Sequence, residues 1–166
     1  MCRFGADGTV MKIPVGPEQA SQQQIPTRGL KGKIAQKKVG EMKDYTDRLK
    51  SLIGHYVPPD PAKLRVAVQT GNTNMNATSG VATMTFNDYY KAGDNVQFAL
   101  NTEAKKLLSY NVSTYLDDPK KDIVTLSNNF AALPDGTGYL QQAVLDAKSK
   151  QIQVTTTNSN YSPVGP

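Results

Sequence analysis

The chain has 166 residues, 38% of them hydrophobic and 20% charged, with a formal charge of +5 and no tryptophan. One domain is expected at this length, able to bury roughly 70% of its unfolded surface. No apolar run approaches the ~18 residues of a membrane-spanning helix, the lone Cys2 excludes an internal disulfide, and the lone His55 excludes a multi-histidine metal site.

At the N-terminus, MCRFGADGTVMK lacks the apolar stretch of a secretory signal. It reads instead as a β-hairpin over 1–15, because Asp7-Gly8 favours the positive φ of tight turns and Pro14 and Pro17 end the second strand. Residues 16–29 are rich in Gln, Pro and Gly and read as a flexible linker. A helical segment over 30–70 follows, with Leu30, Ile34, Met42, Tyr45, Leu49, Leu52, Ile53 and Tyr56 on one face. Gly40 is a weak point in it, so the secure part is Glu41 to His55. Pro58, Pro59 and Pro61 stop this helix, and Asp60 as N-cap opens a second one from Ala62 to about Gln69. By composition 70–80 is loop.

From 81 to 161 short strand-forming stretches alternate with short turns. Such connections permit antiparallel neighbours and forbid parallel crossovers, so an up-and-down meander is expected. Period-two alternation puts Met84 with Phe86, Val96 with Phe98 and Leu100, and Val124 with Leu126 and Phe130. A further stripe runs Leu108, Tyr110, Val112, Thr114, Leu116; the opposite face carries Gln97, Ser109, Asn111, Ser113, Thr125 and Ser127. One face is apolar and needs a cover, which the helices supply. The expected fold is therefore α+β: a curled, half-barrel-like antiparallel meander of about six to eight strands under one or two N-terminal helices, in a single domain with a tail at 162–166.

The charge is uneven. Residues 28–65 carry ten Lys or Arg against four acids, whereas 81–166 carry seven bases against eight acids. The basic run from Lys31 to Lys50 is the kind of segment that makes weak contact with an anionic surface, but Glu41, Asp44 and Asp47 interrupt it, and the solvated face of a helix accounts for it. No aromatic-rich RNA-binding signature accompanies it, so no specific nucleic acid is expected.

Candidate chemistry is sparse. Asp117, Asp118 and Asp122 lack the ligand ladder of a calcium loop and read as a solvated turn. His55 falls in the last turn of a helix, where the dipole favours a cation, and no G-x-S-x-G flanks any serine. Gly29, Gly32 and Gly40 match neither the P-loop nor the dinucleotide fingerprint, so no cofactor is expected. Nothing here forms a catalytic constellation.

The blocks FNDYYKAGDNVQFALNTEAKKL, STYLDDPKKDIVTL, FAALPDGTGY and KQIQVTTTNSNY resemble the C-terminal region of uncharacterised bacterial proteins of the exported, cell-envelope kind. The resemblance runs from about Asp7 to Tyr161, most clearly from Thr85 onward. It implies a periplasmic or envelope location and supplies no catalytic residues. A curled meander with covering helices is also similar in architecture to periplasmic lipoprotein carriers of the LolA type, which hold acyl chains between half-barrel and helices. The expectation is a non-enzymatic module with an apolar groove for a lipid, acyl chain or partner segment. Met84, Phe86, Phe98, Leu100, Tyr110, Val112, Leu126 and Phe130 would line it from the sheet, and Leu49, Leu52 and Ile53 from the helix. The alternative is a structural or protein-interaction domain in which the same residues pack as a dry core. The sequence does not set the oligomeric state.

Overall fold

The computed structural model describes residues 2–4, 10–12, 29–159 and 161, with side chains from 37 onward. The chain divides into two compact units, 1–44 with 160–166 and 45–159. In the first, β1 (Cys2–Phe4) and β2 (Val10–Lys12) pair antiparallel with Phe4 opposite Val10. The intervening Asp7-Gly8 turn, the linker residues 16–28 and the tail 162–166 lie outside the described residues. Helix α1 (Gly29–Gly54) begins in the first unit and ends in the second, and it runs through Gly40 without a break. Lys37, Lys38, Lys43 and Lys50 are exposed, with Lys37 and Glu41 3.9 Å apart one turn on.

The second unit holds the rest of α1, α2 (Pro61–Gln69) and a seven-stranded antiparallel meander. Its strands are β3 (Thr73–Thr78), β4 (Val81–Asn87), β5 (Asn95–Asn101), β6 (Lys106–Tyr115), β7 (Ile123–Ala132), β8 (Gly138–Ala147) and β9 (Ile152–Thr157). Spatial order equals chain order and β3 does not pair with β9, so the curled sheet stays open. The α+β expectation holds. Asp60 caps α2 as the sequence requires, its Oδ1 accepting from the Ala62 N–H at 2.8 Å. One strand departs from the sequence reading: β3, TNMNAT, was expected as loop. Asn and Thr make it a weak strand former, yet Ser79 and Gly80, at φ 51° and 79°, form a two-residue turn that joins Thr78 to Val81. Both positive φ values are those of a type I′ hairpin, whose twist matches that of the strands.

Cross-strand register sorts the concave face into rows. Nearest the helices lie Thr114, Val124, Ala147 and Ile152, then Thr73, Phe86, Val96, Val112, Leu126, Leu145 and Val154. The third row is Met75, Met84, Phe98, Tyr110, Asn128, Ala143 and Thr156. The last is Ala77, Ala82, Leu100 and Leu107, with Phe130 and Leu140 beyond. Tyr45, Leu49 and Leu52 project from α1 and Tyr56 from the turn that ends it, spaced four, three and four residues apart, and they join Ala67 of α2 in one buried cluster with Phe86, Val96, Val112 and Val124. The core thus sits under the first two rows and reaches Tyr110 in the third.

Candidate functional site

A polar knot locks the helices onto the sheet. The loop from Asp88 to Asp94 folds round the Asp94 carboxylate, which is 2% exposed. It accepts from the Tyr90 N–H at 3.2 Å, the Lys91 N–H at 2.9 Å and the Tyr56 hydroxyl at 2.5 Å. With its one proton given to Asp94, the Tyr56 oxygen accepts from Thr114 Oγ1 at 2.7 Å. Tyr110 Oη donates to the Tyr56 carbonyl at 2.7 Å, and the Asp60 N–H donates to Tyr89 Oη at 2.6 Å. Arg48 pairs with Asp117, and Tyr45 Oη lies 3.3 Å from Ser149 Oγ. Tyr110 reaches in from the third row, and the other links fall at one end of the strands.

Burial, followed by the Asp94 hydrogen bond, pushes the Tyr56 hydroxyl far above the ordinary phenolic range. Burial does the same to Tyr110, and burial raises Tyr89. Burial also lowers Lys91, whose Nζ donates to the Tyr115 carbonyl and lies 3.8 Å from the Tyr115 ring centre. Because the fold keeps Tyr56 and Tyr110 protonated while the unfolded chain ionises near pH ~10, their contribution is full below that pH and is lost as pH rises above it. Urea midpoints should therefore fall steadily above pH ~10, and absorbance titration should show these tyrosines ionising only as the protein unfolds.

The opposite end of the concave face is built differently. No residue of the last row is buried; Ala82, Leu100, Leu107, Phe130 and Leu140 are all partly open. Beside it the sheet itself divides. The β6–β7 ladder ends at Ser109 and Asn129, while Lys106 and Leu107 stay paired with β5, and Phe130 to Ala132 with β8. The parting coincides with two register shifts, at Ala99/Leu100 on one side and Asn129/Phe130 on the other. Bulges bend strands and terminate pairing, and they recur beside functional sites. Between the diverging strands lies a cleft of about 410 Å³ lined by Lys105, Lys106, Leu107, Leu108, Phe130, Ala131, Ala132 and Gly138. That volume falls within the range of small-molecule pockets, ~300–1,000 Å³. Its walls are mostly hydrocarbon, with two lysines at the rim.

The expected groove residues fall into two groups. Phe86, Tyr110, Val112, Leu126, Leu49 and Leu52 are buried in the helix-covered core. Met84, Phe98, Leu100, Phe130 and Ile53 are only partly buried, and of these Phe130 lines the cleft. An aromatic series joins the groups: Phe86 meets Phe98 edge-on at 5.7 Å, and Phe98 meets Tyr110 at 4.8 Å. The sequence reading missed Leu107, Ala131 and the lysine pair. A signal was present, since the adjacent Leu107-Leu108 breaks strict alternation, and the structure places Leu107, not Leu108, opposite Leu100.

Other marked residues sit elsewhere. His55 is exposed and stacks on Tyr90 at 4.1 Å between ring centres. Asp118 Oδ1 accepts from the Lys120 N–H at 2.8 Å within its own turn. Among the described residues no cluster of His, Cys, Asp and Glu is arranged to hold a metal. A smaller cleft of about 250 Å³ lies between α2 and the end of β4, lined by Lys63, Thr70, Asn72, Asp88 and Tyr89 among others.

Together these features define an α+β module, an open antiparallel meander fastened to its helices at one end of the concave face and parted at the other. No protein-family model, curated protein or solved structure matches the chain.

Proposed function

We propose that this protein is a binding module that receives a hydrophobic ligand, an acyl chain, at the uncovered end of its apolar concave face. The observation that carries this reading is the parting of β6 from β7, which opens a hydrocarbon-walled cleft where the last row has no buried member. Between the two edge strands, the rows nearer the helices hold the buried residues Phe86, Val96, Val112, Val124 and Leu126. The ligand would lie along Leu100, Leu107 and Phe130, with Lys105 and Lys106 at the rim. The reading asks nothing of a catalytic group. The resemblance of the strand blocks to exported bacterial proteins supports a cell-envelope location as part of the same proposal.

The test is a chain-length series of alkyl probes measured by calorimetry. Each buried methylene contributes about 0.8 kcal/mol, so affinity should rise about three- to fourfold per carbon until the cleft is full. A plateau then marks its depth. If no member of the series binds saturably, the groove is a dry seam and the module is structural.

A further inference from the structure

We propose that β9 is a self-association edge, pairing antiparallel with the β9 of a second copy of this chain. β9 pairs with β8 alone among the described strands, and five of its six residues are exposed. An edge of this kind presents a row of backbone donors and acceptors that only another extended chain can match. Soluble proteins usually blunt such edges with lysine, proline or a bulge. β9 reads Ile-Gln-Val-Thr-Thr-Thr, without charge or proline, and its register with β8 is unbroken. Only Lys106 and Asp146 are charged in the seven strands of the sheet, so nothing on the edge repels a neighbour.

Geometry selects the partner. In a seven-stranded meander β3 and β9 run in the same direction. Extending the sheet by β3 of another copy would be a parallel, open-ended joint. Two copies of β9 related by a two-fold axis pair antiparallel and close, with both concave faces on the same side. β9 is also the better strand former, since β3 carries Asn74, Asn76 and Ala77. Centring the pair on Val154 keeps the faces aligned and sets Val154 against its copy. Gln153 then faces Thr155, and Ile152 faces Thr156. The nearest charge, Lys150, lies opposite Asn158. Val154 is 51% exposed and sits beside Leu145 in the second row, so the joint would cover an apolar side chain that the monomer leaves open.

The test is sedimentation of the full chain over a wide concentration range, with V154K and M75K compared. The wild-type chain should dimerise. V154K, which sets two lysines face to face on the axis, should weaken the dimer about tenfold or more, while M75K on the other edge should leave it intact. Circular dichroism checks folding; should V154K unfold, V154C in a C2S background should form an intermolecular disulfide that M75C does not. A wild-type chain monomeric throughout, a dimer indifferent to V154K, or one broken only by M75K would overturn the proposal.

Discussion

Replacing Asp94 by alanine should cost the second unit about 3–5 kcal/mol, the largest single-residue loss in the fold, read as a lower urea midpoint. The carboxylate is the common acceptor for the Tyr56 hydroxyl and two backbone N–H groups, all at a position 2% exposed. Removing it deprives two part-buried backbone N–H groups of their acceptor and leaves the Tyr56 hydroxyl only Thr114, and each buried group left unsatisfied costs ~1–3 kcal/mol. Tyr56→Phe should cost less, about 1.5–3 kcal/mol, because Asp94 keeps its backbone donors. The order of the two variants is the informative part. A Tyr56→Phe loss equal to or larger than the Asp94→Ala loss would place the anchor in the hydroxyl's bond to Thr114 and not in the Asp94 carboxylate.

Phe130→Glu should weaken alkyl binding by at least about tenfold, while the fold survives. Phe130 is partly buried at the point where β7 leaves β6, and it forms one wall of the cleft. A carboxylate there would either be desolvated by the ligand's hydrocarbon or hold water in the cleft against it. Val112→Ala is the complementary control. Val112 is 2% exposed within the helix-covered core, so its truncation should lower stability by ~1–3 kcal/mol and leave the affinity of the folded fraction unchanged. Equal effects of both variants on binding would mean that the ligand enters the core and not the parted end.

Much of this architecture is legible in the amino-acid order. Short turns between alternating strands fix an antiparallel meander, and the spacing of Tyr45, Leu49, Leu52 and Tyr56 fixes the helix face that covers it. Asp60 and Pro61 mark the start of α2. Depth along a strand is not legible. Period two tells which face a side chain occupies but not how far along the strand a helix reaches, so Val112 and Leu100 look alike in sequence although one is core and the other open. The Asp94 knot was hidden for a related reason. Gly93-Asp94-Asn95 has the composition of a solvated turn, and only the approach of Tyr56, distant in sequence, makes its carboxylate an interior group. The parting of β6 from β7 depends on two bulges without glycine or proline to announce them.

The most direct test is a two-dimensional amide spectrum of the protein titrated with a dodecyl ligand. Shifts confined to Lys105–Leu108, Phe130–Ala132 and the neighbouring ends of β5 and β8 are the result expected of a ligand seated where the sheet parts. Shifts centred on α1 and the Asp94 loop, or a spectrum unchanged at saturating ligand, would contradict it.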